Sequence, residues 1–213
     1  MASLRNVRVL SILGCLLIAG MAGAQQTTYT YVGTHYLNPT GVFTTSMSIN
    51  GSFTTANPLP PNISADIGPL GDGRAIAWSF NNGISTFTQA NSAELYGSAG
   101  YFYIATDANG NVSNYQIGLV SPQPPHSVGT VMNFFFLNHG SQVQALYQAT
   151  CAIASANVCT FLPFAGTGTV SDDTETGAFL PANNGIPTAS WAALGLLAVL
   201  LAAFGVFLIR ARL

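Results

Sequence analysis

Residues 75–88 read Ala-Ile-Ala-Trp-Ser-Phe-Asn-Asn-Gly-Ile-Ser-Thr-Phe-Thr, in which two strand-like runs enclose Asn81-Asn82-Gly83. Asn and Gly tolerate the positive φ that a tight hairpin turn requires. The stretch therefore predicts two antiparallel strands, over 75–80 and 84–88, joined by a turn.

The same arrangement occurs twice more along the chain. Runs 101–106 and 112–119 enclose Asp107-Ala108-Asn109-Gly110-Asn111, and runs 130–137 and 143–150 enclose Asn138-His139-Gly140-Ser141. Strand patterns at 27–32 and 46–55 complete the set, the second with period-two alternation. With about eight strands and no convincing amphipathic helix, the sequence predicts an all-β fold, an antiparallel sandwich or barrel.

Three stretches are predicted to lie outside the strands. Residues 57–73 and 121–126 are rich in proline, which cannot donate to a β-ladder. Residues 165–185 contain mainly Gly, Thr, Asp and Asn, a composition typical of a flexible linker. The acidic group within this last stretch is accordingly predicted to be solvated. It comprises Asp172, Asp173 and Glu175.

The N-terminal 24 residues have the order of a secretory signal peptide. Arg5 and Arg8 precede an apolar run over 9–19, and Ala22 and Ala24 follow with the spacing that signal peptidase accepts. The run is too short to span a bilayer, which argues against an uncleaved anchor. A lipoprotein box around Cys15 is the other alternative, but this cysteine lies inside the apolar run. We therefore expect export by the Sec machinery and cleavage of residues 1–24.

Residues 191–209 near the C-terminus contain no charged side chain. In helical form they would reach about 29 Å, the thickness of a bilayer core. Arg210 and Arg212 follow at once, and basic residues tend to stay in the cytoplasm, which leaves residues 25–190 outside. The sequence thus predicts a transmembrane helix over 191–209 that anchors an exported domain in the inner membrane.

The residues just ahead of this helix carry a resemblance to a known family. They read Ile186-Pro187-Thr188-Ala189-Ser190-Trp191, and the apolar run and the arginine pair follow. This tail resembles the IPTL-CTERM variant of the PEP-CTERM sorting signals of Gram-negative bacteria. The resemblance implies recognition by an exosortase-type transpeptidase, removal of the helix, and a final location at the cell surface or in the extracellular matrix. Ala189 stands where the family has leucine, and no acidic residue separates Ser190 from Trp191.

Residues 28–119 also resemble a β-rich module found on many PEP-CTERM proteins. The matching segments read GSFTTANPL over 51–59, WSFNNG over 78–83 and TDANGN over 106–111. This resemblance implies a fold and a location, with no activity attached. The predicted organisation is a signal peptide at 1–24, a β-rich domain at 25–164, a linker at 165–185 and a sorting tail at 186–213.

Charge limits the partners of the predicted exported part. It carries one arginine, Arg74, against all seven acids of the chain, and the sequence contains no lysine. Such a surface has no basic patch to neutralise phosphates, which argues against nucleic acid as a partner.

Two cysteines, Cys151 and Cys159, are left after signal removal. In an oxidising compartment an isolated pair at this spacing favours a disulfide. The alternatives, free thiols or a metal site, are disfavoured because no further ligands lie nearby in the sequence.

The sequence shows no catalytic motif and predicts no cofactor. The three histidines lack metal-ligand or triad spacing and are expected at the surface or in turns. They are His35, His126 and His139. The loop that begins at Asp107 has its glycine in the wrong place for a calcium loop, so a turn is favoured. A glycosidase needs two facing carboxylates, and nothing pairs the candidates Asp66, Asp72, Glu94 and Asp107.

Aromatic side chains are the remaining binding-type feature. They are Tyr29, Tyr31, Tyr36, Trp78, Tyr96, Tyr101, Tyr103 and Tyr115. Alternating aromatics in strands mostly fill the core, although exposed ones could stack on sugar rings. The leading hypothesis is therefore a non-enzymatic surface or matrix protein. The second is a carbohydrate-binding module for extracellular polysaccharide, and the third is an extracellular hydrolase.

Overall fold

The computed structural model of the chain describes residues 26–95 and 101–181, and these contain fifteen β-strands. In chain order the strands are β1 (Thr27–Val32), β2 (Pro39–Gly41), β3 (Asn50–Thr55), β4 (Ser64–Asp66), β5 (Ala75–Asn81), β6 (Thr86–Thr88), β7 (Ala93–Glu94), β8 (Phe102–Thr106), β9 (Val112–Ser121), β10 (Val131–Asn138), β11 (Gln142–Thr150), β12 (Ile153–Ser155), β13 (Val158–Phe161), β14 (Gly168–Asp172) and β15 (Ala178–Phe179). All described pairings are antiparallel, so the predicted all-β antiparallel class is confirmed.

The strands form two main sheets and a small hairpin. The smaller main sheet has the order β15-β1-β3-β5-β6, and the larger has the order β2-β14-β11-β10-β9-β8-β4, with β7 also pairing with β9. Strands β12 and β13 pair only with each other within the described residues. The predicted count of about eight strands is therefore too low.

The two main sheets share one hydrophobic core, built largely from aromatic side chains. In the smaller sheet Phe53 pairs across with Tyr29 and with Trp78, and all three are buried. From the larger sheet, Phe135 reaches the rings of Phe80 and Phe87 at centroid distances of 5.5 and 4.9 Å. These contacts lie between faces of different sheets, as in a sandwich.

The larger sheet is covered on both faces at its centre. Along β10 the consecutive residues Phe134, Phe135, Phe136 and Leu137 are all buried. Because side chains alternate along a strand, Phe135 and Leu137 join the core between the sheets, whereas Phe134 and Phe136 join a second cluster on the outer face. A continuous apolar run is the sequence pattern that such a doubly covered strand produces.

The three predicted hairpins are present, with turns that use positive φ. Gly83 has φ +94° between β5 and β6, Gly110 has φ +80° between β8 and β9, and Gly140 has φ +68° between β10 and β11. Predicted boundaries differ at β3, which begins at Asn50 and not at residue 46. The predicted 57–73 loop contains β4, a three-residue edge strand that pairs with β8.

The segment predicted as a flexible linker is folded as far as residue 181. Strand β14 pairs with β11 and β2, and β15 pairs with β1. Both strands are short, five and two residues long, so no apolar period marks them. Main-chain hydrogen bonds to strands distant in sequence hold them in place, which the sequence pattern does not show. The linker prediction is therefore wrong for residues 168–179.

Several predictions fall on residues outside the described ranges. These include the signal peptide with Ala22 and Ala24, and the sorting tail 186–213 with its apolar run 191–209. Across residues 26–95 and 101–181 the structure contains no helix long and apolar enough to cross a bilayer.

Candidate functional site

The predicted disulfide is confirmed. Cys151 follows β11, Cys159 lies in β13, and their bonded side chains are both buried with Cα atoms 5.8 Å apart. Both sulfurs belong to the hydrophobic cluster on the outer face of the larger sheet. The bond thus fixes the β12–β13 hairpin over this face.

Next to the disulfide, the outer face has a concave site, which we call the aromatic groove. It has a volume of about 180 Å³. Its lining consists of four aromatic rings, three leucines and one amide, namely Tyr101, Phe134, Phe136, Phe164, Leu95, Leu146, Leu162 and Gln144. None of these residues carries a formal charge.

The groove is shaped by a residue without a side chain. Gly118 pairs with Phe136, and a Cβ atom placed on it would lie 3.2 Å from the Leu95 Cβ and 3.2 Å from the Phe136 Cδ2. The Leu95 and Phe136 side chains therefore close over the glycine and form the floor. The Tyr101 ring stands edge-on to Phe136, with centroids 5.9 Å apart. Edge-to-face packing of this kind fixes ring orientation.

Three side chains of the groove are open to solvent. Phe164 is 45% exposed, and the Tyr101 and Gln144 side chains are half-buried. Within residues 26–95 and 101–181 the Gln144 amide has no hydrogen-bond partner. The groove therefore offers ring surfaces and one amide that can both donate and accept.

A buried carboxylate organises the end of the described chain. Glu175 is 3% exposed, and its two oxygens accept hydrogen bonds from the hydroxyls of Tyr31 and Tyr115. The backbone N–H of Gly177 also donates to it, at 2.6 Å. Burial, with a further contribution from Glu175, raises the pKa of both tyrosines. The two hydroxyls therefore remain protonated donors. We call Glu175, Tyr31, Tyr115 and Gly177 the Glu175 cluster.

Asp172 has a similar structural role. It is 2% exposed, and it accepts hydrogen bonds from the backbone N–H groups of Leu37 at 2.9 Å and Asn38 at 2.8 Å. The prediction that this acidic group is solvated is wrong for Asp172 and Glu175, whereas Asp173 is exposed. Side-chain alternation along β14 directs Asp172 inward, and the segment after β14 does the same for Glu175. Both carboxyl groups then accept hydrogen bonds from buried N–H or O–H donors.

Glu94 is the buried acid with an unsatisfied oxygen. One carboxyl oxygen accepts the backbone N–H of Leu70 at 3.0 Å, and the other has no hydrogen-bond partner within the described residues. A Cβ on Gly68 would lie 2.2 Å from the Glu94 Oε1, so the 68–71 turn packs directly on this carboxyl. Burial raises the pKa of Glu94, and the charge of Asp66 adds to the increase.

One of the three histidines, which were expected at the surface or in turns, lies in a loop and is buried. His126 Nδ1 accepts the backbone N–H of Cys159 at 3.2 Å, so the proton lies on Nε2, which donates to the carbonyl of Pro122 at 2.9 Å. The ring thus ties the proline-rich loop to the disulfide hairpin. His35 and His139 are exposed, and His139 packs against the ring of Tyr115.

The loop after β8 is a turn closed by its first residue. Asp107 accepts the backbone N–H groups of Asn109 at 2.8 Å and Asn111 at 2.9 Å. These bonds lower the pKa of Asp107. The Asp107 carboxylate thus stabilises the backbone of its own turn. In the ranges that the structure describes, no cluster of three or more His, Cys, Asp or Glu side chains could hold a metal ion.

Most of the predicted aromatic set lies in the core. Tyr29, Tyr31, Tyr36, Trp78 and Tyr115 are each at most 6% exposed. Tyr103 is half-buried and Tyr96 lies outside the described residues. Of the members that the structure describes, only Tyr101 contributes to the aromatic groove.

Sequence reasoning missed the other rings of the groove. The signals available were the continuous apolar run at 134–137, which indicates a strand covered on two faces, and the aromatics that follow the second cysteine, Phe161 and Phe164.

Comparison of the chain with protein-family models, curated proteins and solved structures finds no match.

Proposed function

We propose that this chain is an exported, non-catalytic protein of the cell surface or extracellular matrix, first held in the inner membrane by its C-terminal segment. The observation that carries the proposal is the Cys151–Cys159 disulfide. Structural disulfides persist in oxidising compartments outside the cytoplasm. The signal-peptide pattern of residues 1–24 indicates the same destination.

The roles of the buried acids support a non-catalytic domain. The carboxylates of Glu175 and Asp172 accept hydrogen bonds from donors of their own fold, and Asp107 does the same within its turn. A general acid or nucleophile must instead face a site that a substrate can enter. Glu94 is buried beneath the 68–71 turn and does not line the aromatic groove.

For the C-terminal tail we propose processing at the cell envelope. An exosortase-type transpeptidase would read Ile186-Pro187-Thr188 at the membrane surface and release the domain from its helix, as the resemblance to IPTL-CTERM signals implies. Proline fixes the local backbone, which suits recognition by an enzyme. Pro187 and Thr188 precede the predicted helix, so they contribute little to its insertion.

The experiment is intact-mass analysis in the native host. Wild-type protein is expected to have lost residues 1–24 and to end near the motif. The double variant Pro187→Ala/Thr188→Ala should insert normally but accumulate with its C-terminus at Leu213. Thr174→Ala, an exposed threonine outside the motif, is the matched control and should be processed as wild type.

Two results would contradict the proposal separately. A wild-type protein that retains Leu213 would show that the C-terminal segment is a permanent anchor, which contradicts the proposed processing. Protection of the domain from protease added to spheroplasts, together with two thiols that alkylate without prior reduction, would place the domain in the cytoplasm and remove export itself.

A further inference from the structure

We propose that the aromatic groove binds a single neutral sugar ring, such as the terminal residue of a neutral polysaccharide. The inference goes beyond export and location, and it rests on the lining of the groove.

Charge indicates a neutral ligand. The groove has no charged side chain in its lining. Arg74, which is the one arginine or lysine of the described residues, lies 3.1 Å from its ion-pair partner Asp72 and lines a different surface depression. An anionic ligand would therefore have to leave water without a compensating cation, which is costly. A cationic ligand would likewise find no carboxylate in the lining.

The free amide indicates a ligand with hydroxyl groups. Gln144 stands among aromatic and leucine side chains without a hydrogen-bond partner in the described part of the chain. A purely apolar ligand would cover this amide and leave its polar atoms unsatisfied, which costs free energy. A sugar ring presents C–H groups on its face and hydroxyls on its edge. The face can stack on Phe164 while an edge hydroxyl bonds to Gln144.

Size and rigidity indicate one ring, held in a preformed site. The groove volume of about 180 Å³ is below the range of roughly 300–1,000 Å³ that is typical of drug-sized ligands. Its floor is closed by Leu95 and Phe136 over Gly118, and the chain that carries Leu162 and Phe164 begins just after the disulfide hairpin. A floor that is already packed loses little side-chain entropy on binding.

The test is a glycan array carrying neutral glucose-, galactose- and mannose-terminated oligosaccharides beside acidic ones. It is probed with the full-length chain in a polyoxyethylene detergent, because a glycoside detergent would compete for the groove. We expect binding to neutral glycans, and the best glycan is then titrated by calorimetry. Phe164→Ala and Gln144→Ala should each weaken binding by about tenfold.

The matched control is Phe161→Ala. Phe161 is 49% exposed, close in sequence to Phe164, and absent from the groove lining. Its loss should leave affinity unchanged. The side chains of Phe164 and Gln144 are solvent-accessible, so their variants should fold, which thermal unfolding checks.

Four results would overturn the proposal. They are no binding to any neutral glycan, stronger binding to acidic glycans, affinity that is unaffected by both groove variants, and equal loss in the Phe161 variant. Saturation by an alkyl chain or a quaternary ammonium compound with no sugar binding would assign the groove to another ligand class. Because the assay uses purified protein, its failure leaves the proposals on export and processing untouched.

Discussion

Replacing Glu175 by alanine should destabilise the whole domain, although this residue lies in a stretch that looks like a linker. Its carboxylate accepts hydrogen bonds from Tyr31, Tyr115 and the Gly177 N–H in a buried site. The Tyr115 hydroxyl can turn to the Gly177 carbonyl, 2.9 Å away. Two donors, the Tyr31 hydroxyl and the Gly177 N–H, then remain unsatisfied.

The expected cost follows from these two donors. A buried donor without an acceptor costs about 1–3 kcal/mol, so the variant should lose about 3 kcal/mol of unfolding free energy. With a urea slope of about 2 kcal/mol per M, the midpoint should fall by about 1.5 M. Glu175→Gln keeps one carbonyl acceptor, so this variant should lose less unfolding free energy than Glu175→Ala.

The assay is urea unfolding followed by the fluorescence of the buried Trp78, in a Trp191→Phe background. Asp173→Ala is the matched control, since it removes an exposed carboxylate two positions away. It should change the unfolding free energy by no more than about 0.5 kcal/mol. If the Glu175 and Asp173 variants unfold at the same urea concentration, the Glu175 cluster contributes nothing and residues 173–179 behave as a linker.

Two further predictions concern stability. Reduction of the disulfide, or the double variant Cys151→Ser/Cys159→Ser, should lower the unfolding free energy by about 2.5 kcal/mol, because the bond closes a short loop in the unfolded chain. Calorimetry of the oxidised and reduced protein measures this difference. An unchanged melting temperature on reduction would contradict the prediction. Glu94→Gln should raise stability at neutral pH by about 1 kcal/mol, because the raised pKa of Glu94 means that its charged form is penalised in the folded state. In the unfolded chain the Glu94 side chain loses its proton above the ordinary pKa of glutamate, whereas in the folded chain it keeps the proton to a higher pH. Wild-type stability is therefore lost as the pH rises. The gain should therefore vanish below about pH 4 in thermal melts recorded across pH, and a gain that is constant with pH would show another cause.

Local sequence chemistry determined the hairpins and the disulfide. The turns at Asn81-Asn82-Gly83 and Asp107–Asn111 depend on residues that accept positive φ or close their own loop, and these are properties of adjacent residues. Cys151 and Cys159 are the two cysteines that lie outside the predicted signal peptide, so they could form one pairing, with each other. For this reason the all-β antiparallel class could be predicted from the sequence.

The short strands near the end of the described chain could not be predicted in this way. Strands β14 and β15 carry no apolar period, and they are ordered by main-chain pairing with β11, β2 and β1, which lie far away in sequence. The same holds for the burial of Asp172, Glu175 and His126, because the partners that satisfy their polar atoms come from other elements.

The sequence by itself determined the local turns, the strand class and the cysteine pair, because each depends on residues close together in the chain. Only the tertiary structure decided which aromatic side chains fill the core and which remain accessible. Phe136 and Gln144 lie in β10 and β11, Tyr101 immediately precedes β8, and Phe164 follows β13 in a loop. They line one groove because β8 to β11 lie side by side and the disulfide hairpin packs over their outer face. Sheet pairing and the alternation of side chains across the sheet create that surface, and neither can be read from one strand alone.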